Sequence, residues 1–166
     1  MASATATGVT TTQVYEIYIK APPQAIWQAI TSPEWTERYG YGSRVEYDLR
    51  PGGVYRAFAT AEMLACGAPE VVVEGEVLVA DAPRRLEQTW HALFDSVVAA
   101  EPAGRVRFEI APTQRNTTRV VVIHDLDGAP ITAAIVGGDV PEAGGGWRFV
   151  LDDLRRELEE DPALAA

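Results

Sequence analysis

His124 is the residue of this chain best suited to proton chemistry. It closes the run Val120-Val121-Val122-Ile123-His124 and shares parity with Val120 and Val122. In an extended strand it therefore faces the apolar side. An imidazole there could serve as a general base or hold a ligand hydroxyl; the plainer alternative is a core histidine tied to a neighbouring group. His91 has the parity opposite to Trp90 and is expected to face outward, and nothing pairs the two histidines into a metal site. Glu62 has the parity of Phe58; if buried, desolvation would raise its pKa and suit it to acid–base work. Glu74 and Glu76 lie on the face opposite Val73, Val77 and Val79 and read as solvated. Cys66 sits in an expected loop with no histidine near it in sequence, a poor setting for a nucleophile.

A second group could bind rather than react. Trp35, Tyr39 and Tyr41 cluster after the first helical segment, Tyr55 and Met63 share a parity, Gln88 and Trp90 share that of Leu86, and Trp147 opens the last helix. Each alone could simply fill a core. Together with His124 they suit the wall of an apolar pocket, because Gln88 and the tyrosine hydroxyls would be costly to bury unpaired. Catalytic signatures are lacking: the chain has no Gly-x-Ser-x-Gly elbow, phosphate loop or dinucleotide fingerprint. One cysteine and two histidines exclude multi-cysteine zinc patterns and leave little for a histidine-rich centre. No cofactor and no metal are expected.

These residues must be positioned by the elements around them. Val14–Ile19 is β-branched and aromatic and predicts a strand. Pro22 and Pro23 suit the first turn of a helix carrying Ala25, Ile26, Ala29 and Ile30, and Ser32-Pro33 could start a second, short one. The period then changes to two. Val45, Tyr47 and Leu49 alternate with charged residues; Pro51-Gly52-Gly53 turns the chain; Val54–Met63, Val71–Ala80, Arg85–Phe94, the alternating run around Val106, Phe108 and Ile110, and Val120–His124 follow as strands. Ile131–Val136 with Gly137-Gly138 is either a glycine-hinged lid or a fixed helix-like turn. After Gly144-Gly145-Gly146, residues Trp147, Val150, Leu151, Leu154 and Leu158 form one helical stripe. The order is a strand, one or two short helices, about six antiparallel strands and a long amphipathic helix. No βαβ alternation appears, so the class is α+β rather than a parallel doubly wound sheet. The economical packing wraps a curved sheet around the last helix.

At 166 residues, with 47% hydrophobic and 23% charged residues, the chain is long enough to bury a core without disulfides or metal. Residues 13–161 are expected to form a single domain between tails at 1–12 and 162–166. A net charge of −10 argues against nucleic acid and anionic lipid as partners. No apolar run approaches the length of a membrane helix, and the Ala/Thr-rich start lacks the pattern of a secretory signal, so a cytoplasmic location is expected. Exposed strand edges leave a homodimer open.

Asp48-Leu49-Arg50-Pro51-Gly52-Gly53, Gly75-Glu76-Val77-Leu78, Pro83-Arg84-Arg85-Leu86 with Thr89-Trp90, Thr118 to His124-Asp125, and Gly144-Gly145-Gly146-Trp147 with Leu151 and Leu154 occur in an order that resembles one branch of the START-like, or SRPBCC, superfamily. That branch is named after the activator of the heat-shock-protein-90 ATPase, and the resemblance spans residues 13 to 160. It implies the helix-grip fold and a cavity, with no particular reaction. Three functions follow as expectations. The first is binding of a hydrophobic or aromatic small molecule between sheet and helix. The second is cyclase- or aromatase-like acid–base chemistry on a polyketide-like or aromatic substrate, through His124, Glu62 or a tyrosine. The third, on the family name, is a partner that activates a chaperone ATPase.

Overall fold

Alternating strands build one seven-stranded antiparallel sheet in the computed structural model, which describes residues 11–163. The strands are β1 (Thr12–Ile19), β2 (Val45–Tyr47), β3 (Val54–Phe58), β4 (Val71–Asp81), β5 (Arg85–Ala92), β6 (Gly104–Pro112) and β7 (Thr118–Asp125), in the order β1-β7-β6-β5-β4-β3-β2. Most of the two expected tails lies outside the described residues, and Thr12 already belongs to β1. The first strand is thus inserted at one edge, paired with the last, Ile17 facing Val120 and Gln13 facing His124.

The helices are α1 (Pro23–Thr31), α2 (Pro33–Thr36), α3 (Ala61–Ala65), α4 (Ser96–Ala99), α5 (Pro130–Val136) and α6 (Gly146–Glu159). α1 begins on proline, whose fixed φ and missing N–H suit a first turn. It buries Ala25, Ile26, Trp27, Ala29 and Ile30. α6 buries Leu151, Leu154 and Leu158 against β1 and α1, the stripe its sequence spacing demands. Leu154 and Leu158 are each only 1% exposed, and burial on that scale stabilises by about 1.5–3 kcal/mol per side chain.

The sheet bends where its ladder is irregular. β3 and β4 shift register at Ala57/Phe58, and β4 and β5 between Val77 and Val79. Gly75 lies next to the second shift, and a Cβ there would stand 1.9 Å from the Thr89 carbonyl oxygen. Only glycine admits that backbone approach.

Two elements depart from the sequence expectation. The strand predicted over Val54–Met63 stops at Phe58, and a helical turn follows because Thr60 caps it, its hydroxyl accepting from the Met63 N–H at 3.2 Å. Leu49 lies beyond the end of β2 and is exposed. The segment left open as lid or turn is helical: Ile131–Val136 lies within α5. Its N-terminus is held by Glu101, which accepts from the Ile131 and Thr132 N–H groups at 2.9 and 2.7 Å and from the Thr132 hydroxyl at 2.7 Å.

Candidate functional site

The N-terminal part of α6 does not close down on the sheet, and a cavity of about 420 Å³ remains between them. β2 and β3 supply Val45, Tyr47, Tyr55 and Ala57; β4 supplies Val72 and Val73; Trp90 and Phe108 come from β5 and β6. The chain from Thr36 to Ser43 forms one rim, and Ile135 and Val136 of α5 another. α6 contributes Gly146, Trp147, Val150, Leu151 and Leu154. Eight lining residues are aromatic and none carries a charged side chain. The size and lining are those of a small-molecule site.

Tyrosine hydroxyls provide most of the polarity. Tyr39 donates to the Ala29 carbonyl at 2.7 Å. Tyr47 donates to Gln88 Oε1 at 2.5 Å, which satisfies the amide oxygen of a residue that is 1% exposed. Tyr41 ties two rim segments together: it donates to the Ala143 carbonyl at 3.2 Å and accepts from the Gly146 N–H at 3.0 Å. Its ring also packs on Phe149, centroids 5.4 Å apart. Tyr47 and Tyr55 pack at 4.7 Å. Burial raises the pKa of Tyr39, Tyr47 and Tyr55 above the ordinary phenol value, so all three are neutral at physiological pH.

His124 points inward, as its parity requires, and is fully buried. It lies behind the cavity wall rather than in it. Its ring meets Trp90 edge-on at 4.8 Å and Trp147 at 5.9 Å. The Trp147 indole N–H donates to His124 Nδ1 at 3.0 Å. The ring proton must then sit on Nε2, which has no partner. Burial pushes the pKa of His124 down to about 3. At neutral pH the imidazole is uncharged, with its basic nitrogen occupied. This arrangement holds Trp147, and through it the start of α6, against β7.

The other sequence candidates divide cleanly. Tyr39, Tyr41, Tyr55, Met63, Trp90 and Trp147 line the cavity. Gln88 lies behind it, joined through Tyr47. Trp35 is turned away, half-buried against the core with the Arg38 guanidinium 3.9 Å over its ring. Glu62 is exposed on α3 and does not meet His124, because the turn capped by Thr60 carries it out of the strand parity that paired it with Phe58. Met63 reaches the cavity from the same turn rather than from a strand. Tyr47 was legible but passed over: it shares Val45's parity. Phe94 shares the parity of Leu86, Gln88 and Trp90 although it lies just beyond the end of β5, and Ile135 and Val136 belong to the segment expected as a lid or helix-like turn, which α5 brings to the rim.

A curved antiparallel sheet gripping a C-terminal helix, with an aromatic cavity between the two, defines a helix-grip protein. The chain belongs within that class to the family described as activator of Hsp90 ATPase homolog 1-like proteins, which matches residues 20–159. Among solved structures it is similar to CalU16 from Micromonospora echinospora, with 21% identity and a TM-score of 0.63 over 92% of this chain and 78% of that one. It is also similar to PFC0360w, an HSP90 activator from Plasmodium falciparum, with 17% identity and a TM-score of 0.63 over 89% of this chain and 95% of that one. DynU16, from the dynemicin biosynthetic locus, shares 19% identity with a TM-score of 0.65, covering 90% of this chain and 48% of that one. No curated protein matched. Among the described residues no helix is long and apolar enough to cross a membrane.

Proposed function

We propose that this protein binds a hydrophobic, aromatic small molecule in the cavity between the sheet and α6. The observation that carries the reading is the cavity itself: about 420 Å³, walled by eight aromatic residues and free of charged side chains. A space of this kind takes up apolar surface that water would otherwise cover. The origin of DynU16 in a biosynthetic locus agrees with a small-molecule ligand. The geometry lends less to acid–base chemistry through His124 and Glu62, since one is sealed behind Trp90 and Trp147 and the other is on the surface.

The neutral fluorophore N-phenyl-1-naphthylamine tests the reading. It should bind one-to-one with enhanced fluorescence, with the complex visible in native mass spectrometry and in the cavity of soaked crystals. Ala57→Phe, which narrows the cavity from β3, should weaken binding at least tenfold while circular dichroism stays unchanged. Absence of binding, or equal binding by the folded variant, overturns the proposal.

A further inference from the structure

One end of the cavity is polar in a particular way. Tyr47 gives its proton to Gln88 Oε1. Trp90 lines the same end of the cavity as Tyr55. Tyr39 is committed to the Ala29 carbonyl, and Tyr41 to Ala143. The Tyr55 proton, by contrast, finds no acceptor among the described residues, although the residue is only 7% exposed and lines the cavity. The phenol proton is therefore unspent. A buried donor without a partner is unfavourable until something in the cavity accepts from it. The opposite chemistry is missing, because no cationic side chain lines the cavity to neutralise an anion and no carboxylate lines it to pair a cation.

We infer that the ligand is an uncharged aromatic molecule bearing a carbonyl oxygen, which accepts the hydrogen bond that the Tyr55 hydroxyl offers at the Tyr47–Gln88–Trp90 end of the cavity. This rests on the binding role proposed above and narrows it to a chemical class. The rings of Tyr47, Tyr55, Trp90 and Trp147 supply flat walls for the aromatic part. The hydroxyl orients it, and the charge-free lining selects against carboxylates and amines, whose desolvation nothing in the wall would offset.

Three probes of one shape separate these terms: 2-isopropylnaphthalene, 2-acetylnaphthalene and 2-naphthoate, titrated at pH 7 by quenching of the tryptophan fluorescence. The ketone should bind about threefold to tenfold more tightly than the hydrocarbon, the gain of one neutral hydrogen bond. The naphthoate should bind more weakly than the hydrocarbon by about a hundredfold or more, as expected for a carboxylate buried unpaired. In Tyr55→Phe the preference for the ketone over the hydrocarbon should vanish, the two binding equally to the folded variant. If the hydrocarbon binds but the ketone gains nothing, or gains as much in Tyr55→Phe, the inference falls and the binding role stands. Naphthoate binding as tightly as the ketone also overturns it. If none of the three binds, both readings fall.

Discussion

Acidification from pH 7 to pH 5 should cost the fold about 2 kcal/mol through one side chain, His124. Burial holds its pKa at about 3, against 6.5 for an ordinary histidine. Below pH 6.5 the unfolded chain takes up a proton that the folded chain refuses, so acid favours unfolding. The stabilisation is present in full above that value and is lost progressively as the pH falls toward 3. The whole gap is worth at most about 5 kcal/mol, of which about 2 falls between pH 7 and pH 5 and about 3 by pH 4. His124→Gln isolates the effect, because glutamine offers Trp147 an acceptor but cannot titrate. Urea unfolding followed by tryptophan fluorescence, at pH 7, 6 and 5 and constant ionic strength, should show the wild-type midpoint falling steeply. The variant should lose about 2 kcal/mol less over the same interval. Parallel pH dependences for the two proteins would refute the reasoning: His124 would then be protonated as easily in the fold as out of it, and the dry pocket behind Trp90 and Trp147 would not exist in solution.

Two further outcomes follow from the same geometry. Trp147→Phe keeps an aromatic wall but removes the indole donor to His124 Nδ1, so chemical denaturation should register a loss of about 1–3 kcal/mol; a loss below a few tenths would mean that the indole–imidazole bond does not hold α6. Gly75→Ala places a methyl carbon 1.9 Å from the Thr89 carbonyl oxygen, which forces β4 and β5 apart at their bulge. Its melting temperature should fall more than that of Gly52→Ala, whose Cβ would meet nothing within 4 Å and which bears only the strain of a φ of +85°, and equal melting temperatures would contradict the tight approach.

Much of the fold was legible because its signals are local. Period-two alternation marked the strands, and the stripe Trp147, Val150, Leu151, Leu154, Leu158 marked the face that α6 buries. Parity alone aimed His124, Gln88 and Trp90 inward, since successive side chains of a strand point to opposite faces whatever lies around them. Where a short cap intervened, parity failed. Thr60 began a helical turn inside the stretch read as one strand, and Glu62 went to the surface while Met63 went to the cavity.

By itself, then, the sequence determined the element order, the buried stripe and which side chains face the apolar side, all consequences of backbone geometry over a few neighbouring residues. Only the tertiary structure decided which inward residues meet open space and which meet each other. His124 and Trp147 are 23 residues apart and Tyr47 and Gln88 are 41 apart; no local period relates them. Their pairing depends on how far the sheet bends at its bulges and where α6 leaves it. That same bend separates a wall with an unspent tyrosine proton from a sealed histidine behind it.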